Sequence, residues 1–319
     1  MTILITGGAG FIGSHLVERL LKQGKKIVVI DNFNDFYLPS YKRENISSAI
    51  QNSNLTLYET NICDVVACQK IFEKHHIEKV IHLAAYAGVR PSIERPLLYE
   101  EANCKGTMSM LELSRIFKVK QFIFGSSSSV YGNNKKVPFS EDDPVNEPIS
   151  PYAATKRAGE VFCYNYHHLY NISILCLRFF TVYGPRQRPD LAIRKFTELI
   201  DRNQPIAMYG DGTTQRDYTF ISDIIDGVAS ALDKQFGFEI INLGDSKPIQ
   251  LTTLIKLIEQ ELGEKAQINR LPEQPGDVQR TYADIIKAER ILKYQPKVSI
   301  EQGVRLFVAW HRERKKSQF

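Results

Sequence analysis

Residues 2–13 read TILITGGAGFIG. The first five residues form an apolar run with the length of a buried strand, and Gly7, Gly10 and Gly13 follow it at the spacing Gly-x-x-Gly-x-x-Gly. From residue 11 to residue 23, apolar residues recur at the spacing of one helix face. A strand, a glycine turn and a helix in this order predict a parallel α/β unit that holds a pyrophosphate at the helix N-terminus.

Further apolar runs at 26–30, 55–59, 79–83, 121–125 and 172–177 alternate with helix-like segments. This alternation predicts a doubly wound parallel Rossmann sheet, an α/β fold. After residue 178 the elements become shorter and are separated by Gly- and Pro-rich turns. We therefore expect a dinucleotide-binding Rossmann domain at 1–178, with a later crossing segment near 213–240. Residues 179–319 are expected to form mainly a smaller C-terminal α/β substrate lobe.

The composition restricts the kinds of partner. The net charge is +5, and no block of five basic residues occurs, which favours a small anionic ligand over nucleic acid. The five cysteines form no C-x-x-C pair, so we expect reduced thiols and a cytoplasmic protein. No apolar run reaches the roughly 18 residues of a membrane span. Neither a membrane segment nor a metal site is predicted.

The acidic residue after the second predicted strand indicates which dinucleotide binds. Asp31 stands where a carboxylate accepts hydrogen bonds from the hydroxyls of an adenine ribose. The same carboxylate would repel a 2′-phosphate, so the predicted cofactor is NAD. Lys42 and Arg43 are the residues that could accommodate a phosphate instead.

Two segments carry candidate catalytic groups. Tyr152 and Lys156 are four residues apart, which places both side chains on one face of a helix. A nearby ammonium, together with the positive charge of an oxidised nicotinamide, would lower the pKa of the phenol from its ordinary value of about 10. The serine run 126–129 follows a predicted strand and can supply a hydroxyl to a substrate oxygen.

Together these motifs resemble the extended short-chain dehydrogenases over nearly the whole chain. The matching positions are the glycine triplet, Asp31, His82-Leu83-Ala84-Ala85, Asn103-x-x-Gly106-Thr107, the serine run, Tyr152 with Lys156, and Arg178-Phe179-Phe180. The resemblance implies that Tyr152 is the base, Lys156 its partner and Ser127 the catalytic hydroxyl, with Ser128 as the alternative. The cofactor-binding residues that it implies are Gly7, Gly10, Phe11, Ile12, Gly13, Asp31, Asn32, Ile62, Leu83, Ala84, Ala85, Asn103, Tyr152 and Lys156.

Within this family, dehydratases carry Asp-Glu where this chain has Ser128 and Ser129, which argues against dehydration. The loops at 31–37, 87–92 and 178–190 resemble those of UDP-glucuronate 4-epimerases, and Thr181 replaces an asparagine that is usual in UDP-glucose 4-epimerases. The predicted reaction interconverts UDP-glucuronate and UDP-galacturonate through a 4-keto intermediate. The alternatives are a UDP-glucose or UDP-N-acetylhexosamine 4-epimerase and a UDP-glucuronate decarboxylase.

The same resemblance implies a set of residues around the UDP-sugar and a homodimer formed through two helices of the first lobe. Arg188, ahead of Arg90, Arg186 and Thr181, is the candidate partner of the glucuronate carboxylate. A diphosphate contact or a surface ion pair is the alternative for each arginine. Arg216 is expected on the diphosphate and Asp277 on the uridine ribose. The predicted substrate-binding residues are Gly88, Val89, Arg90, Ser127, Ser128, Thr181, Arg186, Arg188, Arg216 and Asp277.

Overall fold

A computed structural model describes residues 1–235, 237–273 and 278–316 of the chain. In chain order, its strands are β1 (Thr2–Thr6), β2 (Lys26–Asp31), β3 (Leu55–Glu59), β4 (Ile77–His82), β5 (Gln121–Ser127), β6 (Ser173–Phe179), β7 (Thr181–Tyr183), β8 (Ile206–Tyr209), β9 (Gln215–Phe220), β10 (Phe238–Leu243), β11 (Pro248–Gln250) and β12 (Ile268–Leu271). The largest sheet of the described residues has seven strands in the order β10-β6-β5-β4-β1-β2-β3. All its neighbouring strands are parallel, which confirms the predicted doubly wound sheet.

Helices connect these strands. They are α1 (Phe11–Lys22), α2 (Pro39–Ile50), α3 (Val65–Lys74), α4 (Val89–Glu94), α5 (Pro96–Tyr99), α6 (Gly106–Ile116), α7 (Pro151–Tyr170), α8 (Ala192–Asp201), α9 (Ile221–Leu232), α10 (Leu251–Leu262), α11 (Ile286–Leu292) and α12 (Ile300–Lys316). A π-helix at Glu100–Lys105 leads into α6, and a 3-10 helix at Ser128–Tyr131 follows β5. No helix in the described ranges is both long enough and apolar enough to cross a membrane.

The seven-stranded sheet is buried on both faces because successive side chains point to opposite sides of a strand. Along β1, Ile3 and Ile5 belong to one apolar cluster and Leu4 belongs to the other. Helix α1 contributes Leu16 and Leu20 to the first cluster, whereas α3 and α6 pack in the second. This two-sided burial explains why the strands are continuously apolar rather than alternating.

The smaller C-terminal lobe is built from short sheets. Strand β9 pairs with β7 in parallel and with β11 in antiparallel orientation, and β8 pairs with β12 in parallel. Between these sheets the chain returns to the first lobe, where α9 packs against α1 and β10 pairs with β6. The division of the chain after residue 178 stays a prediction, because one apolar cluster extends from Ile3 in β1 to Val308 in α12.

A buried ion pair holds α7 against the sheet. Glu160 is 0% exposed, and its two oxygens accept hydrogen bonds from Arg178 Nε and Nη2 at 2.8 and 2.9 Å. The Ser126 hydroxyl donates to the same carboxylate at 2.7 Å. Next to it, a Cβ on Gly159 would lie 2.4 Å from the Phe124 ring, so only glycine allows this approach of helix and strand. Removing one partner of such a pair costs about 3–5 kcal/mol, so the position of α7 on β5 and β6 is strongly fixed.

Candidate active site

A cavity of about 780 Å³ lies at the carboxyl ends of the central strands, where open α/β sheets bind their ligands. The residues that follow β1, β2, β4 and β5 form its floor. Its other wall includes Thr181 of β7 and Arg216 of β9, so both lobes enclose the same space. The cavity therefore joins the predicted cofactor site to the predicted substrate site.

The glycine loop after β1 makes a cradle that side chains would fill. Gly7 has a φ of +72°, and a Cβ on it would lie 2.8 Å from the Ala84 amide nitrogen. A Cβ on Gly13 would lie 2.1 Å from the Gly7 carbonyl oxygen. Helix α1 begins after Gly10 without a side-chain cap, and its first turn lines the cavity. Uncapped amides at a helix N-terminus fit a pyrophosphate, as dinucleotide binding requires.

Asp31 lies in the cavity wall at the end of β2. Its carboxylate accepts hydrogen bonds from the amides of Ala9 at 3.0 Å and Phe33 at 2.9 Å. Burial raises the pKa of Asp31, and the Phe33 amide and the Lys42 ammonium partly offset that effect. Lys42 donates to the backbone and side-chain oxygens of Asn34, both at 2.8 Å, so it is already engaged within this loop. The site fits the free ribose hydroxyls of NAD better than a 2′-phosphate.

Tyr152 and Lys156 occupy the first turns of α7. The Ser150 hydroxyl caps this helix by accepting an amide hydrogen bond at 3.1 Å. Lys156 Nζ donates to the Gly125 carbonyl oxygen at 2.7 Å and lies 5.0 Å from the centre of the Phe124 ring. The end of β5 therefore fixes the ammonium one helical turn from the phenol, as the spacing of the two residues requires.

Burial governs the titration of both groups. It raises the pKa of Tyr152, while the Ser127 hydroxyl and the Arg188 charge act in the opposite direction. It lowers the pKa of Lys156 to about 8. Because the Lys156 ammonium donates to a carbonyl rather than to a carboxylate, its positive charge is not neutralised by that contact. The site thus brings a cation and a hydroxyl to a phenol that must lose its proton to act as a base.

The four serines after β5 point in different directions. Ser126 donates to Glu160, away from the cavity. Ser127 lines the cavity beside Tyr152, and its Oγ donates to Ser129 Oγ at 3.1 Å. Ser128 also lines the cavity, from the 3-10 helix. Ser127 is therefore the stronger candidate for the catalytic hydroxyl, because its interaction with Tyr152 lowers the pKa of that phenol.

Arg188 provides positive charge that acts on the Tyr152 phenol. Its side chain is only 16% exposed and forms a two-point pair with Asp190, in which Nε and Nη2 donate at 3.0 and 2.8 Å. The guanidinium lies 5.2 Å from the centre of the Phe36 ring, and Nη2 is 3.8 Å from where a Cβ on Gly88 would be. A cation enclosed in this way can bind an anionic substituent of a ligand in the cavity.

Two further arginines enter from different lobes. Arg90 of α4 stacks on the Tyr209 ring of β8 at 4.2 Å and so bridges the cleft. Arg216 of β9 lines the cavity and donates to the Gln215 carbonyl oxygen at 2.9 Å. Their charges suit a diphosphate, which carries more negative charge than a sugar carboxylate.

The family model described as GDP-mannose 4,6 dehydratase matches residues 4–307, nearly the whole chain. The chain belongs to the extended short-chain dehydrogenase/reductase family. This confirms the resemblance found in the sequence motifs. A UDP-glucuronate 4-epimerase of Thermodesulfobacterium geofontis is 44% identical over 97% of this chain and 96% of its own.

Solved structures of this family have the same fold. The UDP-glucuronic acid 4-epimerase of Bacillus cereus, crystallised with UDP-glucuronic acid and NAD, is 38% identical and has a TM-score of 0.93. The alignment covers 98% of this chain and 100% of that one. The UDP-glucose 4-epimerase of Thermotoga maritima, crystallised with UDP-glucose, is 35% identical over 99% of this chain and 100% of its own, with a TM-score of 0.91.

Most of the residues predicted from the family resemblance line the cavity. On the cofactor side they are Gly7, Gly10, Phe11, Ile12, Gly13, Asp31, Asn32, Ile62, Leu83, Ala84, Ala85, Tyr152 and Lys156. On the substrate side they are Gly88, Val89, Arg90, Ser127, Ser128, Thr181, Arg188 and Arg216. Asp277 lies outside the described residues.

Two predicted site residues, Asn103 and Arg186, are not among those that line the cavity. Asn103 lies in the π-helix, behind the cavity wall, and its amide donates to the Tyr86 carbonyl at 2.9 Å and to Thr155 Oγ1 at 3.0 Å. It supports a backbone segment that lines the cavity, and its contact with the cofactor stays a prediction. Arg186 has a φ of +66°, which turns it towards α1, and it pairs with Glu18 at 2.6 Å. Its candidate role at the substrate carboxylate stays a prediction.

Sequence reasoning missed three cavity residues with a clear physical role. Tyr209 carries the ring on which Arg90 stacks, Phe36 carries the ring beneath Arg188, and Asp190 pairs with that arginine. The Arg-x-Asp spacing of Arg188 and Asp190 could have indicated their ion pair, because the side chains of residues i and i+2 of a turn can contact each other. The two aromatic contacts join distant parts of the chain and leave no local pattern.

A chain of hydrogen bonds behind the cavity keeps His82 neutral. Thr107 donates to the Asn103 carbonyl at 2.6 Å, so its oxygen accepts from His82 Nε2 at 3.0 Å. His82 Nδ1 then accepts from the Thr6 hydroxyl at 2.7 Å, and Thr6 accepts from the Ala84 amide at 3.2 Å. Burial lowers the pKa of His82 to about 3, and the Lys156 charge adds to this effect.

This buried histidine makes stability depend on pH. Between its ordinary pKa of 6.5 and its folded value of about 3, the unfolded chain binds a proton that the native protein does not, so the free energy of unfolding falls as pH decreases. Lowering the pH from about 7 to about 4.5 decreases the free energy of unfolding. We expect this decrease to be ~2–3 kcal/mol smaller in His82→Gln than in the unaltered protein. Urea denaturation of both proteins at the two pH values measures this. An equal pH dependence in both would contradict the neutral assignment.

Proposed function

We propose that this protein is an NAD-dependent 4-epimerase that interconverts UDP-glucuronate and UDP-galacturonate. One observation carries the proposal. Tyr152, with Lys156 and Ser127, can act as the base for a sugar hydroxyl, and this group lies in the same cavity as the enclosed cation of Arg188. The same cavity contains the dinucleotide cradle. The relatives named for this activity support the same assignment.

In the proposed reaction, Tyr152 accepts the proton of the sugar 4-hydroxyl, and Ser127 hydrogen-bonds the same oxygen. Lys156 stabilises the phenolate through its charge, which lowers the pKa of the phenol towards neutrality. A bound NAD would supply the redox chemistry, as acceptor and then donor of the hydride at C4. The 4-keto sugar must turn over between these steps, because the hydride returns to the opposite face. Tyr152 then gives its proton back to the oxygen.

The cavity argues against dehydration. A 4,6-dehydratase needs a further acid and base beside the reacting carbons, and dehydratase relatives carry Asp-Glu at positions 128 and 129. Ser128 and Ser129 stand there in this chain. Among the described residues that line the cavity, carboxylates come only from Asp31, Glu101 and Asp190. An epimerase needs no acid beyond the tyrosine.

The carboxylate of the substrate is assigned to Arg188, with Arg90 and Thr181 as further candidates in the same cavity. Holding this group matters chemically, because the 4-keto form of a glucuronate is a β-keto acid that can lose CO₂. Arg216 is assigned to the diphosphate, and Asp277 is the family's candidate for the uridine ribose. UDP-glucose, UDP-N-acetylhexosamine and a decarboxylation outcome remain the alternatives.

A homodimer is part of the same proposal. Large apolar side chains are exposed along two helices of the first lobe, namely Ile116 at the end of α6 and Val161, Tyr164 and Leu169 on α7. Pairing of α6 and α7 with those of a second copy would bury these side chains.

The five cysteines are free thiols, which supports a reducing, cytoplasmic location. The uronate product would suit the synthesis of an acidic polysaccharide.

The direct experiment is to incubate the purified protein with UDP-glucuronate and no added reductant, and to resolve the products by ion-pair chromatography and proton NMR. We expect a stable mixture of UDP-glucuronate and UDP-galacturonate without CO₂. Release of CO₂ with a UDP-pentose would indicate a decarboxylase. Conversion of UDP-glucose but not of UDP-glucuronate would overturn the role of Arg188 and keep the mechanism.

The assignment of the base is tested by Tyr152→Phe, which removes the phenolic oxygen and keeps the ring. We expect the rate to fall at least about 100-fold, because general-base catalysis is lost, while affinity for UDP stays unchanged. Initial rates and calorimetry with UDP measure these quantities. The control is Tyr58→Phe. Tyr58 lies on strand β3, away from the cavity, and its phenol forms a hydrogen bond of 2.8 Å with His75. Near-normal turnover of Tyr152→Phe would remove Tyr152 from its assigned role.

A further inference from the structure

The pair of Arg188 and Asp190 is built into one tight turn. The Leu191 amide donates to the Arg188 carbonyl at 3.2 Å, which closes a four-residue turn with Pro189 at its second position. Proline fixes the backbone there, so the two flanking side chains are brought together before any ligand arrives. Within the described ranges, the guanidinium of Arg188 donates hydrogen bonds only to Asp190, through Nε and Nη2. A guanidinium has five N–H donors, so most of them remain for a ligand.

The two partners differ in their access to water. The Arg188 side chain is 16% exposed, whereas that of Asp190 is 42% exposed. Asp190 also borders a second cavity of about 500 Å³, which it shares with residues such as Asp35, Arg95 and Tyr99. A partly hydrated carboxylate can do without its arginine at small cost, but an enclosed guanidinium cannot do without an anion.

Asp190 is an anion at neutral pH. Burial raises its pKa, but the Arg188 guanidinium outweighs that effect and holds the pKa of the carboxyl below its ordinary value. The neighbouring Arg194 donates to Glu198 and to the Gln187 carbonyl instead, at 2.8 and 2.6 Å. Asp190 is therefore the counter-ion of Arg188 when no ligand is bound.

Epimerisation places an unusual demand on this arginine. A dehydrogenase can hold its substrate in one orientation, but the proposed 4-keto sugar has to turn over while it is enclosed. Turning over moves the C5 carboxylate away from its first contact. If Arg188 had no other anion nearby, releasing the carboxylate would leave a buried, unpaired charge, and the sugar would be trapped in its first orientation.

We propose that Asp190 is a counter-ion that competes with the sugar carboxylate for Arg188. Asp190 pairs with Arg188 again each time the sugar carboxylate dissociates from it, and this allows the keto sugar to turn over. The proposal rests on the proposed function and adds a positioning residue to it. Asp190 acts through Arg188 and touches neither the sugar nor the cofactor in this role. Its predicted signature is tighter binding together with slower turnover when the competing charge is removed.

The experiment uses Asp190→Asn, which removes the charge and keeps the size of the side chain. Binding is measured by calorimetry in the Tyr152→Phe background, where the substrate is not converted. We expect UDP-glucuronate to bind at least about fivefold more tightly, and UDP-glucose, which lacks the carboxylate, to bind within about twofold of its original affinity. With Tyr152 intact, kcat should fall at least about tenfold and KM should fall with it.

Three variants complete the test. Asp190→Glu keeps the charge and should restore both binding and kcat towards the original values. Asp190→Ser gives a second neutral side chain, with the same expected changes, if the asparagine variant folds poorly. The matched control is Glu44→Gln, which removes a carboxylate from a two-point pair with Arg314 outside the cavity, at 3.1 Å, and should change neither quantity.

Weaker binding of UDP-glucuronate by Asp190→Asn, or an unchanged kcat, would overturn the proposal. So would equal changes in affinity for UDP-glucuronate and UDP-glucose, because these would show a general effect on the cavity. These outcomes leave the proposed function intact as long as the unaltered protein converts UDP-glucuronate. If the unaltered protein does not convert it, the proposed function fails, and the role of Asp190 fails with it.

Discussion

The carboxylate of Glu160 joins the three elements on which the active site is built. It bonds Arg178 of β6 and Ser126 of β5, and it belongs to α7, the helix that carries Tyr152 and Lys156. Since this group is fully buried, α7 cannot shift along the sheet without leaving a charge unpaired. The Lys156 ammonium therefore reaches the end of β5, and the phenol lies beside the serine that ends the same strand. Catalytic geometry here follows from an ion pair that takes no part in the chemistry.

Local patterns were sufficient for most of the fold. The apolar runs and the Gly-x-x-Gly-x-x-Gly loop predicted the parallel sheet and the cofactor side of the cavity, with β4 beginning two residues earlier than expected, at Ile77. Asn103 and Arg186 could not be placed in this way. The amide of Asn103 is used by Tyr86 and Thr155, and the positive φ of Arg186 turns its side chain towards α1. Both outcomes depend on contacts between distant segments, which spacing in the sequence does not contain.

The electrostatics of the cavity separate two tasks. Near Tyr152, burial opposes ionisation of the phenol, and the Ser127 hydroxyl together with the Arg188 charge counters it. Near Arg188, the charge is already balanced by Asp190, so a ligand carboxylate enters a pair instead of meeting a bare cation. The first arrangement favours a strong base, and the second favours a weak, exchangeable hold on the sugar. A reaction that returns hydride to the opposite face of the same carbon needs both.

The central claim is that the hydrogen leaving C4 is the one that returns to C4. The most direct measurement uses UDP-glucuronate with deuterium at C4, incubated with the protein in ordinary water and without added reductant. We expect the UDP-galacturonate formed to keep its deuterium at C4, because the hydride never exchanges with solvent. A product with hydrogen from water at C4 would contradict the account and would indicate deprotonation at carbon instead of hydride transfer.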